Sequence, residues 1–447
     1  MTAANTRLAR IAQCLTVAAF VSFAASRPAT AATTEELEAK LQALASQVQA
    51  LQSEVATLKA QNAAAASSRA SAPAVASSSG SSGAIVSGNA TPSTSDSSGG
   101  RLSWLGYGEL NYSRPTDDNS ASSADVGRFV LGALYRFDDR TRLVSELEVE
   151  HAVASSDDSG EIEVEQVWLE RQLTNSVYAK LGLFLIPSGM LNESHEPTRY
   201  YGVFRNFVET AIIPTTWREG GIALQGNTDS GLRWDVGVTT GFDLSKWDAT
   251  ATEGQESPLG SIHQELVFAH AKDLSGFAAL NYTGIAGLRA GASVFTGGAS
   301  QGQPGLPSAD ITLWEGHVRW TPGAWDFAGL YAHGQISGTR EINATLVGNP
   351  TLIPQSFFGW YLQAAYRLFD TERTSLTPFV RYERFNTASS YADIGLGLTP
   401  NVLPDRKVWT AGLNWMFAPG VVFKLDYLDF QDTSEGDRFG IGLGYQF

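Results

Sequence analysis

From Arg101 to the end of the chain, apolar and polar residues alternate with a period of two in segments of about ten residues. In "VWTAGLNWMF", Trp409, Ala411, Leu413, Trp415 and Phe417 share one face, and Thr410, Gly412 and Asn414 share the other. In "VVFKLDYLDF", Val421, Phe423, Leu425 and Tyr427 oppose Lys424 and Asp426. The last nine residues, "FGIGLGYQF", set Phe439, Ile441, Leu443, Tyr445 and Phe447 against Gly440, Gly442, Gly444 and Gln446. Successive side chains of a strand point to opposite faces, so each segment reads as a strand with one apolar side. The pattern predicts strands over 101–112, 126–137, 140–151, 161–172, 176–186, 219–227, 231–240, 276–283, 287–297, 311–321, 324–333, 355–367, 376–385, 408–417, 420–431 and 437–447, sixteen in all.

The gaps between them are sorted by length. Even gaps are short and hold turn residues: Asp138 and Asp139, Thr174–Ser176, Thr228–Ser230, Pro322 with Gly323, and Pro419 with Gly420. Odd gaps are mostly long: 113–125, 187–218, 241–275, 298–310, 334–354 and 386–407. Short turns on one side and long loops on the other are the layout of an outer-membrane barrel, where lipid demands an apolar outside and a closed backbone. A soluble sandwich would also alternate, but it accounts neither for the one-sided loops nor for the export pattern described next.

The N-terminal hundred residues read differently. Arg7 and Arg10 precede the apolar stretch Ile11–Ala25, and "ATA" at Ala29–Ala31 offers a cleavage site, so residues 1–32 are expected to be a secretory signal peptide. Next, Leu37, Leu41, Leu44, Val48, Leu51, Val55 and Leu58 recur at alternating spacings of four and three, the heptad seam of a coiled coil. A helix of about four heptads is marginal alone and is expected to oligomerise; Leu at one seam position and Val at the other lean towards two strands. Residues 61–100 are Ala, Ser and Gly with scattered Pro and cannot bury a core, so they read as a flexible linker. The expected fold class is therefore all-β: a 16-stranded antiparallel transmembrane β-barrel over 101–447, preceded by a short α-helical coiled coil over 33–60 in the periplasm.

Composition sharpens this reading. Charged residues make up 17% of the chain, below the roughly 25% of soluble domains, whereas there are 44 Gly and 11 Trp. Beyond the N-terminal region no apolar run is long enough for a transmembrane helix. The formal net charge of -15 excludes nucleic acid as a partner, since phosphate binding needs clustered Lys and Arg. The only cysteine, Cys14, lies in the expected signal, so neither disulfides nor thiol chemistry is available afterwards.

The alternation also assigns the lumen. Glu146, Glu148 and Glu150 on one strand and Glu161, Glu163 and Glu165 on its neighbour would face inwards and attract cations, or serve simply as a solvated wall. Elsewhere the wall mixes charges: Arg128, Arg136, Glu315 with His317 and Arg319, Arg381 with Glu383, and Lys424 with Asp426. The gap 187–218 is too long for a plain connection and mixes Pro, aromatic and charged residues, so a folded functional loop is expected. Folded into the lumen, it would build a pore constriction from Glu193, His195, Glu196, Arg199, Arg205, Glu209 and Arg218; otherwise it packs on itself or on a neighbouring subunit. An enzyme reading finds no HExxH, no GxSxG and no Cys/His cluster, and the six histidines are scattered, so no cofactor, no metal and no catalytic residue is assigned.

"VEQVWLERQLTNSVYAKLGLFLIPSGMLNE" (Val164–Glu193), followed by "ETAIIPTTWREGG" (Glu209–Gly221), resembles the phosphate-selective porin O and P superfamily. The resemblance implies a trimeric sixteen-stranded barrel with a loop folded into the pore and, in phosphate-specific members, ladders of Arg and Lys. The heptads resemble the coiled coils of some trimeric sugar porins, which favours three strands over two. Charge departs from the phosphate-specific pattern: from Arg101 on there are 25 Lys plus Arg against 41 Asp plus Glu. The expectation is a porin in the outer membrane of a Gram-negative bacterium, contacting its lipid as a homotrimer and passing small hydrophilic solutes or ions by diffusion. An anion-selective porin, with Arg199, Arg205 and Arg218 as candidates, and a barrel-anchored tether or adhesin are the alternatives. Phe447, as an aromatic terminus of the kind outer-membrane barrels share, is expected to be read by the barrel-insertion machinery.

Overall fold

Strand segments with one apolar and one polar face have a stable arrangement in lipid only if every backbone group finds a partner, which requires the sheet to close on itself. The computed structural model, which describes residues 101–155, 160–395 and 397–447, shows this closure. Its strands are β1 Leu102–Pro115, β2 Ser123–Arg136, β3 Thr141–Glu150, β4 Glu161–Gln172, β5 Val177–Leu185, β6 Arg218–Asn227, β7 Leu232–Thr239 and β8 Ser275–Tyr282. They continue as β9 Leu288–Gly298, β10 Asp310–Trp320, β11 Trp325–Ile336, β12 Ser356–Tyr366, β13 Ser375–Ser390, β14 Arg406–Ala418, β15 Val421–Phe430 and β16 Arg438–Gln446. A two-residue strand, Phe369–Asp370, only extends the turn before β13. Each strand pairs antiparallel with its sequence neighbours, and β16 returns to β1 from Tyr107↔Gln446 to Pro115↔Arg438.

All sixteen expected strands are present. The largest boundary difference is β13, expected to stop at 385 and observed to reach Ser390. Its last residues, Asn386–Ser390, are polar or small on both faces, so the alternation vanishes although pairing to β12 continues through a bulge to Ser356. The expected signal peptide, coiled-coil seam and linker lie outside the described residues.

The outer face is apolar as the alternation requires: Trp320, Leu362, Trp409, Phe439 and Ile441 are exposed. Their neighbours along the strands point inwards. A bulge in β4 refines this parity, because Glu146 pairs with Gln166 while Leu147 pairs with Val164, leaving Glu165 as the extra residue. Two consecutive residues, Glu165 and Gln166, thus supply the lumen, and from there Trp168 and Glu170 face inwards instead of odd-numbered positions.

The core lies inside the barrel. Residues of the β5–β6 connection (186–217), the β7–β8 connection (240–274) and a short helix, Thr339–Thr345, join inward residues of β8–β15 in one apolar cluster. The glycines of β16 have a part in this. A Cβ on Gly444 would lie 2.5 Å from Pro197 Cβ, and one on Gly442 would lie 3.2 Å from Val203 Cγ1, so the inner face of β16 is kept bare to seat the 186–217 loop.

Candidate functional site: the loop inside the barrel

The 186–217 loop leaves the wall at Ile186, crosses the lumen and returns at Trp217. Asn192 ties its two ends together, donating to the Ile186 and Trp217 carbonyls at 2.7 and 2.8 Å and accepting the Trp217 N–H at 2.7 Å. The Pro187–Gly189 turn needs Gly189 in the left-handed region, at φ +74°. Glu209 sits behind this turn and accepts from the Met190 and Leu191 N–H groups, from Asn206 Nδ2 at 2.8 Å and from the Tyr361 hydroxyl at 2.9 Å. A buried carboxylate with four donors is a structural clamp, because each donor would otherwise be unpaired in a dry interior.

Two sides of the loop meet two kinds of wall. On one side Val208 and Ile212 lie over Gly359 of β12, Phe207 stacks on Phe385 with centroids 5.3 Å apart, and Trp217 contacts Phe242 and Phe295 at 5.3 and 4.6 Å. On the other side the contacts are polar. His195 Nε2 lies 2.6 Å from the Tyr107 hydroxyl and 2.7 Å from Glu165 Oε1, while its Nδ1 lies 2.9 Å from the Asn192 carbonyl. Nδ1 donates to that carbonyl, which turns Nε2 towards both the Tyr107 hydroxyl and the Glu165 carboxylate. Arg128 donates to the His195 carbonyl at 2.6 Å and to Glu109 at 3.0 Å, and Tyr200 donates to the same Glu109 at 2.7 Å. Burial and the Glu109 charge push the Tyr200 phenol above its ordinary range, so it stays a donor. Lys424 rests its ammonium on the Tyr200 ring, 3.5 Å from the centroid.

The expected constriction residues are all in or beside this loop, with different tasks. Arg199 is exposed, whereas Arg205 is half-buried and donates to the Thr215 and Thr216 hydroxyls of its own loop. Burial and the like charge of Arg128 lower the Arg205 pKa. Glu193 pairs with Arg233 at 2.8 Å and Lys180 at 3.8 Å; burial opposes its ionisation, but these cations prevail and hold its carboxyl below the usual range. His195 and Glu209 are buried anchors, Glu196 lies at the Gln446 side chain, and Arg218 belongs to β6, where it bridges Glu163 and Glu265.

The expected lining residues all face inwards, yet most lie beneath the loop. Glu146, Glu148, Glu165, Glu315, Arg381, Glu383, Lys424 and Asp426 are buried, whereas Glu150 and Glu161 are exposed and Glu163 and Arg319 partly so. Arg381 and Glu383 pair at 2.8 Å as the pattern implied. Two expected groupings are corrected: Arg319 pairs with Asp326 across the β10–β11 turn instead of with Glu315, and Lys424 turns to Tyr200 instead of Asp426. In each case the observed partner lies outside the residue's own strand.

Sequence reasoning missed Tyr107, Glu109, Tyr200, Arg233 and Arg289. Alternation in "GYGELNY" could have placed Tyr107 and Glu109 inwards. Arg233 and Arg289 sit one residue inside the turns, where the short apolar stretches gave no register. Arg289 and Arg319 are direct cross-strand partners at the turn end of the lumen, where Arg142 pairs with Glu170, Arg233 with Asp235 and Arg319 with Asp326. The loop end carries Glu150, Glu161, Glu163 and Glu265 instead. Between them, a cavity of about 70 Å³ is lined by Tyr107, Arg142, Glu146, Trp168, Lys180 and His195.

No family model matches the chain. An uncharacterized protein of Aquifex aeolicus (strain VF5) is 30% identical over 354 residues, covering 76% of this chain and 79% of that protein. Among solved structures, OmpF of Salmonella typhi in complex with daunomycin superposes with a TM-score of 0.55 at 14% identity, covering 77% of this chain and 97% of that one. A loop L8 deletion mutant of OmpT, an outer membrane protein of Vibrio cholerae, gives 0.50 at 15% identity, covering 77% and 99%.

Proposed function

The chain belongs to one protein family with its Aquifex aeolicus relative, and we propose that it is an outer-membrane porin, a water-filled barrel through which small hydrophilic solutes or ions diffuse. The observation that carries this is the inverted barrel: apolar side chains outside, charged ones inside, and a folded loop clamped across the lumen. The passage is narrow, because the loop buries most of the wall that alternation exposes. Solutes meet carboxylates at the loop end (Glu150, Glu161, Glu163), then Arg205 on the loop, then arginines at the turn end.

Localisation follows from the same reading: barrel in the outer membrane, long loops outwards, residues 33–60 as a periplasmic coiled coil reached through a linker spanning on the order of 35 Å. The assembly is a homotrimer, and Phe447 serves the insertion machinery. Planar-bilayer conductance with a reversal potential in a KCl gradient tests the function. Small ohmic steps with cation preference are expected from the acidic mouth; silence across all voltages would replace the channel with a tether. A second reading, anion selectivity, is favoured by the facing Arg289 and Arg319, and a reversal potential of opposite sign would establish it.

A further inference from the structure

The cavity of about 70 Å³ beneath the 186–217 loop lies between the inward faces of β1–β5 and the loop residues Glu193, His195 and Glu196. Its end nearer the turns is apolar. Leu134 pairs with Val144 and Val144 with Trp168, so their inward side chains form one row across three strands. A Cβ on Gly132 would lie 2.5 Å from Leu105 Cδ1 and 3.1 Å from Glu146 Cγ, so glycine at this position lets the apolar end come up against a carboxylate.

Besides His195, the lining carries two cations and three carboxylates, and their partners leave the charge unbalanced. Both cations are already paired: Arg142 with Glu170 at 2.6 Å, and Lys180 with Glu193 at 3.8 Å, which also takes Arg233 at 2.8 Å. Glu146 and Glu196 have no such match, although each is only 8% exposed. Among the described residues Glu146 takes only the Gln166 amide, at 2.8 Å. Glu196 Oε1 takes the Gln446 amide at 3.4 Å, while Oε2 has no hydrogen-bond donor and stands 4.0 Å from the Arg199 guanidinium. Buried carboxylates without a cation are costly, and these two share one hollow. Its other end is hydrocarbon, and among the described residues no three His, Cys, Asp or Glu side chains are grouped to hold a metal ion. An alkylammonium ion suits both ends, since its head donates up to three hydrogen bonds and its stem is apolar. At about 30 Å³ for each water in the liquid, the space admits only a few heavy atoms.

We infer that this cavity binds a short-chain primary alkylammonium ion, its charged head between Glu146 and Glu196 and its carbons against Leu134 and Val144. This rests on the channel reading above and adds a class of solute that the lumen retains on its way through.

The test titrates the full-length chain in detergent with ethylammonium chloride by calorimetry, at constant ionic strength, with potassium as the competing ion. Saturable binding at a single site per chain is expected, and potassium at equal concentration is expected not to displace it. Glu146→Gln and Glu196→Gln should each weaken binding about tenfold or more, the loss of one charge-assisted hydrogen bond. Val144→Phe fills the apolar end without touching a carboxylate and should abolish binding, while the gel shift of the folded barrel confirms that each variant is intact. Absence of saturation, displacement by equal potassium, or wild-type binding in both Gln variants would each overturn the site. Planar-bilayer conductance of the wild-type protein keeps the two levels apart. Conductance without ethylammonium binding rejects this site only, whereas binding without conductance supports the site and rejects the channel reading.

Discussion

The two walls that grip the 186–217 loop differ in the physics of their grip. Towards β8–β13 the loop is held mainly by burial, with Trp217 against Phe295 and Val208 and Ile212 over Gly359. On the same side Glu209 also accepts from Tyr361, and Glu383 from the Phe207 N–H. Burial is non-directional and indifferent to salt, and it tolerates small displacements. Towards β1–β4 the loop is held by the network of His195, Glu165, Tyr107, Arg128, Glu109 and Tyr200. Such a network fixes position within tenths of an ångström and fails when one proton or one partner is missing. The apolar side therefore keeps the loop in the barrel, and the polar side sets where its charges stand.

This contrast can be broken from the apolar side first. Trp217→Ala should remove about 3–5 kcal/mol of stability, read from urea unfolding of the barrel in lipid vesicles. A loss under about 1 kcal/mol, the level of an ordinary surface change, would mean the apolar wall is not the anchor. Next comes the clamp. Glu209→Ala strands the Met190 and Leu191 amides and the Tyr361 hydroxyl, at about 1–3 kcal/mol per stranded group. Protease cleavage within the loop should rise sharply, and Tyr361→Phe should reproduce only a small part of it.

Acid should loosen the loop where Glu193 ties it to β5 and β7. The Glu193 carboxyl is held below its ordinary value by Arg233 and Lys180, so its contribution is fully present above the ordinary carboxylate range of about 4.3. It is lost as pH falls through the depressed value. Current noise from loop motion should grow between neutral pH and pH of about 3 and be pH-independent in Glu193→Gln; an identical pH response in that variant would remove Glu193 from the account. Arg205→Ala should shift the reversal potential towards cations several-fold, at a stability cost of about 1 kcal/mol from its lost hydrogen bonds to Thr215 and Thr216. Smallest of all, Glu150→Gln with Glu161→Gln should move stability by less than about 0.5 kcal/mol. Its slight effect on selectivity should disappear near about 1 M salt, where exposed charges are screened beyond about 3 Å.

Sequence pattern alone determined the strands, their number, their outward faces and the side on which long loops fall. Each of these follows from local alternation, because a residue's face depends only on its neighbours along the strand. "FGIGLGYQF" shows the limit: its phenylalanine, isoleucine and leucine announced a lipid face, but the use of its glycines required Pro197 and Val203, more than two hundred residues away. The same holds for the constriction. Glu193, His195, Glu209 and Arg218 were legible as a charged loop near a barrel mouth, whereas their division into anchors and lumen-facing charges was not. Burial of Glu165 beside His195, the β4 bulge that shifts parity, and the cavity shared by Glu146 and Glu196 depend on contacts between distant parts of the chain. Those contacts form only when the sheet has closed and the loop has been folded inside it.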